Sequence, residues 1–262
     1  MSITVTGLAI TPVKSTRLRG VEQIRLERGG VRENRRFYLI DARDHLLNGK
    51  RLGELCALVA DYSESSESGR RLRLTFPDGR VLEDEVTPGA EVTTRFFSKT
   101  ARARLIDGPW SAALSEYARR PVRLVEANGS AVDRLEPGVA SLISRASLAR
   151  LAAEGGERDV DARRFRMLIE VDGVAAHAED GWVGSRTRIG DAVVGWVGHA
   201  GRCLTTSRDP ETGVVDLPTL DILRSYRGEL ETSEPLPFGI YGEVVREGVV
   251  RIGDDVEVGP AQ

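Results

Sequence analysis

The residue with the widest chemical reach in this 262-residue chain is Cys203. It stands in GWVGHAGRCLTTSRDPETG, after an apolar strand-like run and a Gly-His-Ala-Gly turn. That context predicts a strand-to-loop junction, and such loops carry function more often than strand interiors do. Arg202 is adjacent, and a nearby guanidinium favours thiolate over thiol. A thiolate is a soft metal ligand or a nucleophile. Free cysteine is more commonly a small buried hydrophobe. The second cysteine, Cys56, lies between Leu55 and Ala57 in an apolar run and fits that description better.

Three further segments offer cationic groups at predicted strand ends. Thr11-Pro12-Val13-Lys14-Ser15 places an ammonium and a hydroxyl at a turn, a pair able to hold an anion. Arg35 and Arg36 stand directly before Phe37-Tyr38-Leu39-Ile40, and Arg166 directly before Met167-Leu168-Ile169. An arginine at a strand mouth can grip a phosphate bidentately, although many such arginines are simply solvated. Lysine occurs only at positions 14, 50 and 99. GC-rich coding accounts for most of that bias; a retained lysine can also mark a place that needs a compact ammonium.

The elements that must position these groups are mostly strands. Residues 3–10 and 21–26 alternate in polarity. RLRLTF, PDG and RVLEDEV read as a hairpin turning at Pro77-Asp78-Gly79. Strands are also expected at 123–125, 167–171 and 192–197, with two more around a turn at Glu247-Gly248. Helices are expected at 111–119, at 147–153 behind an N-cap at Ser144, and at 219–226, where Leu220, Leu223 and Tyr226 share helical spacing. The fold class is thus mainly β with a few helices (α+β), with a domain boundary expected between residues 85 and 110.

Composition narrows the function. A net charge of −3 gives no electrostatic case for nucleic-acid binding. No apolar run reaches the roughly 18–20 residues of a membrane span, and the N-terminus lacks the charged-then-apolar form of a leader. Two cysteines cannot hold an iron–sulfur cluster through four thiolates and do not form a disulfide framework, which suits a reducing cytoplasm.

The order of these pieces along the chain resembles the MOSC superfamily, named for the molybdenum-cofactor sulfurase C-terminal domain, preceded by its N-terminal β-barrel domain. Within it the chain is similar to the branch containing the mitochondrial amidoxime reducing component. The resemblance is carried by Pro12-Val13-Lys14-Ser15, by Arg35-Arg36-Phe37-Tyr38, by the serine-rich helix entry Ser141 to Leu148, and by Phe165-Arg166-Met167-Leu168-Ile169. Glu179-Asp180-Gly181-Trp182, Arg202-Cys203, Asp209-Pro210-Glu211-Thr212-Gly213, Leu223 to Arg227 and Phe238-Gly239-Ile240-Tyr241 continue it. Arg35 stands where the family has Asp, and Leu168 where it has an Asn at the cofactor pocket.

The resemblance implies an N-terminal barrel over 1–95 and a MOSC barrel over 96–262. It implies a molybdenum cofactor (Mo-molybdopterin) with Cys203 as protein ligand to the metal and catalytic residue. Lys14, Ser15, Arg36, Ser144, Arg166 and Arg202 would hold the cofactor. The activity it implies is reduction of small N-hydroxylated or N-oxide compounds by oxo transfer, with electrons from a separate donor protein. Two other readings stay open: a sulfurtransferase or sulfur carrier using a persulfide on Cys203, and a specialised biosynthetic enzyme with a pocket altered at Leu168.

Overall fold

The computed structural model describes residues 2–67, 69–128, 138–232 and 234–261. Strands dominate, with three α-helices among the described residues: α1 (Trp110–Tyr117), α2 (Arg145–Gly155) and α3 (Thr219–Arg227).

The larger sheet has eight strands. Pro237–Arg246 lies at its centre, between Ala192–Gly201 and Ala140–Ser144. Ala140–Ser144 runs parallel to Ile169–Asp172, with α2 as the crossover between them. The next strand in the sheet is Thr4–Ile10, from the far N-terminus, paired antiparallel to Ile169–Asp172 with Thr4 opposite Asp172. Alternation on either side of an irregularity between Val5 and Gly7 explains that strand. Val5, Leu8 and Ile10 point into an apolar core shared with Leu142, Ile169, Val194, Trp196 and Ile240.

The N-terminal half builds a five-stranded sheet, in the order Leu46–Leu47, Phe37–Ile40, Arg123–Ala127, Lys99–Asp107, Thr87–Phe96, and a three-stranded meander, Val59–Ser65, Gly69–Thr75 and Val81–Glu85. The Pro77-Asp78-Gly79 turn closes the expected hairpin, with Gly79 at φ +86° and Thr75 opposite Val81. Phe37, Leu39, Leu55, Leu72, Leu74, Trp110 and Leu114 form the core between these sheets.

The expected boundary at 95/96 falls inside the strand Thr87–Phe96. Its hairpin partner Lys99–Asp107 pairs in turn with Arg123–Ala127, so the first sheet continues to residue 127. The strands expected around Glu247-Gly248 form, but not as a hairpin. Gly248–Arg251 pairs instead with Gln23–Leu26. Local turn chemistry pointed to the neighbour in sequence; burial of Ile24, Leu26 and Val250 in one core decides otherwise.

The helices follow their signals. Ser144 caps α2 by accepting a 3.1 Å hydrogen bond from the Ser147 N–H, and Gly156 closes it in the left-handed conformation. Among the described residues no helix is long and apolar enough to cross a membrane.

Candidate functional site

A cavity of about 610 Å³ opens where the two halves meet. Four loops build much of its wall, and the hairpin tip at residues 96–99 with Glu234 and Tyr241 adds to it. The first is the Lys14-Ser15 turn after the strand Thr4–Ile10. It is tied down because the Lys14 N–H donates to the Phe37 carbonyl, 2.8 Å away. Lys14 is only 7% exposed, and its ammonium lies 5.6 Å from the centre of the Phe96 ring. Ser15 sits at φ +79°, and its hydroxyl oxygen accepts from the Gly49 N–H at 3.0 Å. That bond couples the second loop, Asn48-Gly49-Lys50, to the first.

The third loop is the short 3-10 turn Ala162–Phe165, which ends on Arg166 at φ +57°. Arg166 donates to the Thr16 carbonyl at 2.8 Å, so its charge is held beside the Lys14-Ser15 turn. The fourth follows the strand Ala192–Gly201. Cys203 is exposed there, in extended conformation, immediately before the 3-10 turn Leu204–Ser207. Its carbonyl accepts from the Thr206 N–H and hydroxyl, each at 3.0 Å, and its sulfur lies 3.6 Å from the Thr205 hydroxyl.

The Cys203 loop is packed tightly against the N-terminal half at Gly213. A Cβ built on Gly213 would fall 1.8 Å from the Gly53 carbonyl oxygen, and Gly213 has φ +76°. The Arg208 guanidinium donates to the Gly213 carbonyl at 2.7 Å. The Asp-Pro-x-Thr-Gly segment therefore ends in glycine because backbone packs on backbone there.

The charge of the cavity is lopsided. Lys14, Lys50, Lys99, Arg164, Arg166 and Arg202 line it against a single carboxylate, Glu234. Arg164 is neutralised by Asp216 through bonds of 2.6 and 2.7 Å. All three lysines of the chain thus face one cavity of a protein whose net charge is −3. Such a cavity is suited to a multiply charged anion.

Lys14, Ser15, Arg166, Arg202 and Cys203 are brought together as expected. Two residues are not. Arg36 lies at a different cleft, where it donates to Glu126 at 2.6 Å and to Glu64 at 3.2 Å and covers the Tyr62 ring. Burial pushes the Glu126 carboxyl up, but bonds from Arg70 and Arg36 outweigh it and hold the group below the usual carboxylate range. Ser144 is fully buried; it donates to Glu179 and caps α2, so it is absent from the cavity wall. Arg202 lines the cavity but is committed elsewhere. Its nitrogens donate to the carbonyls of Phe165 and Phe238 and to the Met167 sulfur, which makes it a strut for the wall.

Leu168, expected to reshape the pocket, is buried in the core of the larger sheet; the neighbouring Met167 faces the cavity instead. Cys56 lies in a 3-10 turn (Gly53–Ala57) rather than a strand. It is 3% exposed, and burial pushes its thiol up. Sequence reasoning missed Lys50, Lys99, Glu234 and Tyr241 as cavity residues, although the rarity of lysine pointed at the first two.

Comparison with known proteins bears on this geometry. The MOSC domain matches residues 138–257, and the MOSC N-terminal beta barrel domain matches residues 2–116. The chain belongs to the MOSC family. The mouse mitochondrial amidoxime-reducing component 1 is 38% identical over 121 residues, which is 44% of this chain and 35% of that protein. The matched segment thus spans about a third of such relatives. The zebrafish protein of the same name aligns over 96% of this chain and 83% of its own length at 27% identity. The solved YUAD protein from Bacillus subtilis aligns over 100% of this chain and 98% of its own at TM-score 0.46 and 14% identity.

Proposed function

We propose that this MOSC protein binds a molybdenum cofactor in the cavity, with the Cys203 thiolate as protein ligand to the metal, and reduces small N-hydroxylated compounds. The observation that carries this reading is the pairing of one exposed thiol with a carboxylate-poor cationic cavity in an acidic chain.

The residues fit the group. Among the described residues no cluster of three or more His, Cys, Asp or Glu side chains could hold a bare metal ion. A metal at Cys203 needs its other ligands from a cofactor, and a soft thiolate suits a thiophilic metal. The cofactor's phosphate needs cationic donors, and Lys14 and Arg166, with the Ser15 hydroxyl, supply them. When bound, the cofactor supplies two-electron oxo transfer. The balance is R–NHOH plus two electrons and two protons giving R–NH2 and water, with the electrons from a separate donor protein.

The chain's own residues bind, orient and screen. Lys14 and Arg166 would hold the cofactor's phosphate, and Cys203 would hold its metal. Arg202 holds the Phe165 and Phe238 carbonyls and so keeps the wall from collapsing inward. Glu234 and Tyr241 also line the cavity and offer polar contacts to a substrate.

Molybdenum content of wild type against Cys203→Ser, together with reduction of benzamidoxime by chemically reduced protein, tests the reading. Metal and activity in the wild type, both lost in the variant, are expected. Wild type that carries no molybdenum but accumulates a persulfide on Cys203 would replace this reading with sulfur transfer.

A further inference from the structure

A second hollow of about 270 Å³ adjoins the cavity and shares three wall residues with it, Asn48, Lys50 and Phe97. Its remaining walls are His45, Leu46, Arg51 and Arg95. No carboxylate lines it. Elsewhere several surface arginines meet carboxylates, as Arg71 meets Glu83, Arg104 meets Glu91 and Arg188 meets Glu257. Here Lys50, Arg51 and Arg95 line one hollow with no ion pair to any described side chain, although the Arg51 charge is felt by Asp41, where it helps hold that carboxyl below the usual range. All three are exposed, so solvent screens their mutual repulsion, but together they give the hollow a positive field that favours an anion.

The hollow also carries an exposed aromatic in an uncommon conformation. Phe97 is 57% exposed and sits at φ +57° in the tip between the strands Thr87–Phe96 and Lys99–Asp107. A bulky residue rarely adopts that backbone, and strained positions cluster at ligand clamps. Its ring packs edge-on against Phe96 at 5.1 Å, and Phe96 lies beneath the Lys14 ammonium. An aromatic path therefore runs from the cavity floor to the hollow.

We propose that this hollow is a substrate subsite, and that the substrate of this protein is an anion. Its carboxylate or phosphate is held by Lys50, Arg51 and Arg95, while an apolar face of the same molecule lies on Phe97 and its reducible group reaches into the cavity. A small molecule is favoured over an acidic protein because the charges surround a concavity that opens into the cavity wall. The inference rests on the function proposed above.

The test uses cofactor-loaded protein and two probes, benzamidoxime and 4-carboxybenzamidoxime. Calorimetric binding and kcat/KM are measured for each, in wild type and in the Arg51→Ala/Arg95→Ala double variant. Wild type is expected to prefer the carboxylated probe by about tenfold at low salt, with the preference shrinking as salt rises. The double variant should lose that preference while its handling of the neutral probe is unchanged. Preferential binding of the carboxylated probe that disappears in the variant, without turnover of either probe, upholds the subsite and overturns the reductase reading. Equal affinity of wild type for both probes overturns the subsite. So does a double variant that keeps the charge preference but loses only reduction driven by a protein electron donor, which would make the patch a donor-docking face.

Discussion

The Arg35 guanidinium donates a 2.5 Å hydrogen bond to the carbonyl oxygen of Arg166, joining residues 131 positions apart across the two halves of the molecule. Arg35 is 4% exposed and sits at φ +51°. The arginine that departs from the family pattern is thus a brace for an arginine that lines the cavity.

Arg35→Ala should lower the unfolding free energy by about 1.5–3 kcal/mol, the range for a hydrogen bond from a charged group. It should also loosen the 166 turn and reduce cofactor retention. Urea denaturation and pterin content measure the two effects. Arg35→Lys should not rescue either, because an ammonium lacks the planar reach of a guanidinium. Unchanged stability in Arg35→Ala would show the bond to be incidental.

Lys14 and Arg36 should separate cleanly. Losing a buried contact to an anion costs roughly 2–5 kcal/mol, so Lys14→Ala should release the cofactor. Arg36→Ala should keep it and instead destabilise the fold by about 1–3 kcal/mol, because Glu126 then keeps only Arg70. Pterin fluorescence after oxidation, read beside a melting curve, distinguishes the pair. Cofactor loss in Arg36→Ala at unchanged stability would return Arg36 to the site.

One thiol should react in the native protein. Cys203 is exposed and Cys56 is buried with a raised pKa, so a maleimide should label Cys203 first. Cys56 should label only after denaturation. Peptide mapping of the singly modified protein checks the assignment; label on Cys56 would reverse it.

His177 should shape the acid limb of stability. Burial pushes its pKa down to about 4, with Arg227 adding to the effect, and both ring nitrogens lack a partner among the described residues. The folded state therefore holds His177 neutral. Its contribution is complete above the ordinary histidine pKa near 6.5 and is lost as pH falls from there toward 4. His177→Asn keeps a residue tolerant of the φ +64° found there and should flatten stability across that window. An acid limb identical to wild type would remove His177 as its source.

Much of this was legible in the sequence. The helix at 219–227, the Ser144 cap and the exposure of Cys203 follow from spacing, side-chain chemistry and glycine placement. Arg36 did not, for a geometric reason. Successive residues entering a strand point to opposite faces, so Arg35 and Arg36 diverge, and the sequence carries no sign of which one turns inward at positive φ. The same parity sends Leu168 into the core and Met167 to the cavity. Lys50, in a loop, and Lys99, at the start of a strand, meet only through long-range pairing that no local pattern encodes.

The strand Thr4–Ile10 is made first and finished late. Its partner Ile169–Asp172 lies more than 150 residues downstream. At about 5–20 residues per second of synthesis, the strand waits roughly 10–30 s for the edge it must join. During that interval Val5, Leu8 and Ile10 have no sheet to cover them, and Lys14 and Ser15 have no Arg166 beside them. The proposed anion site therefore cannot exist on a nascent chain. It assembles only when the last-made sheet closes on the first-made strand, which makes ligand loading a report on completed folding.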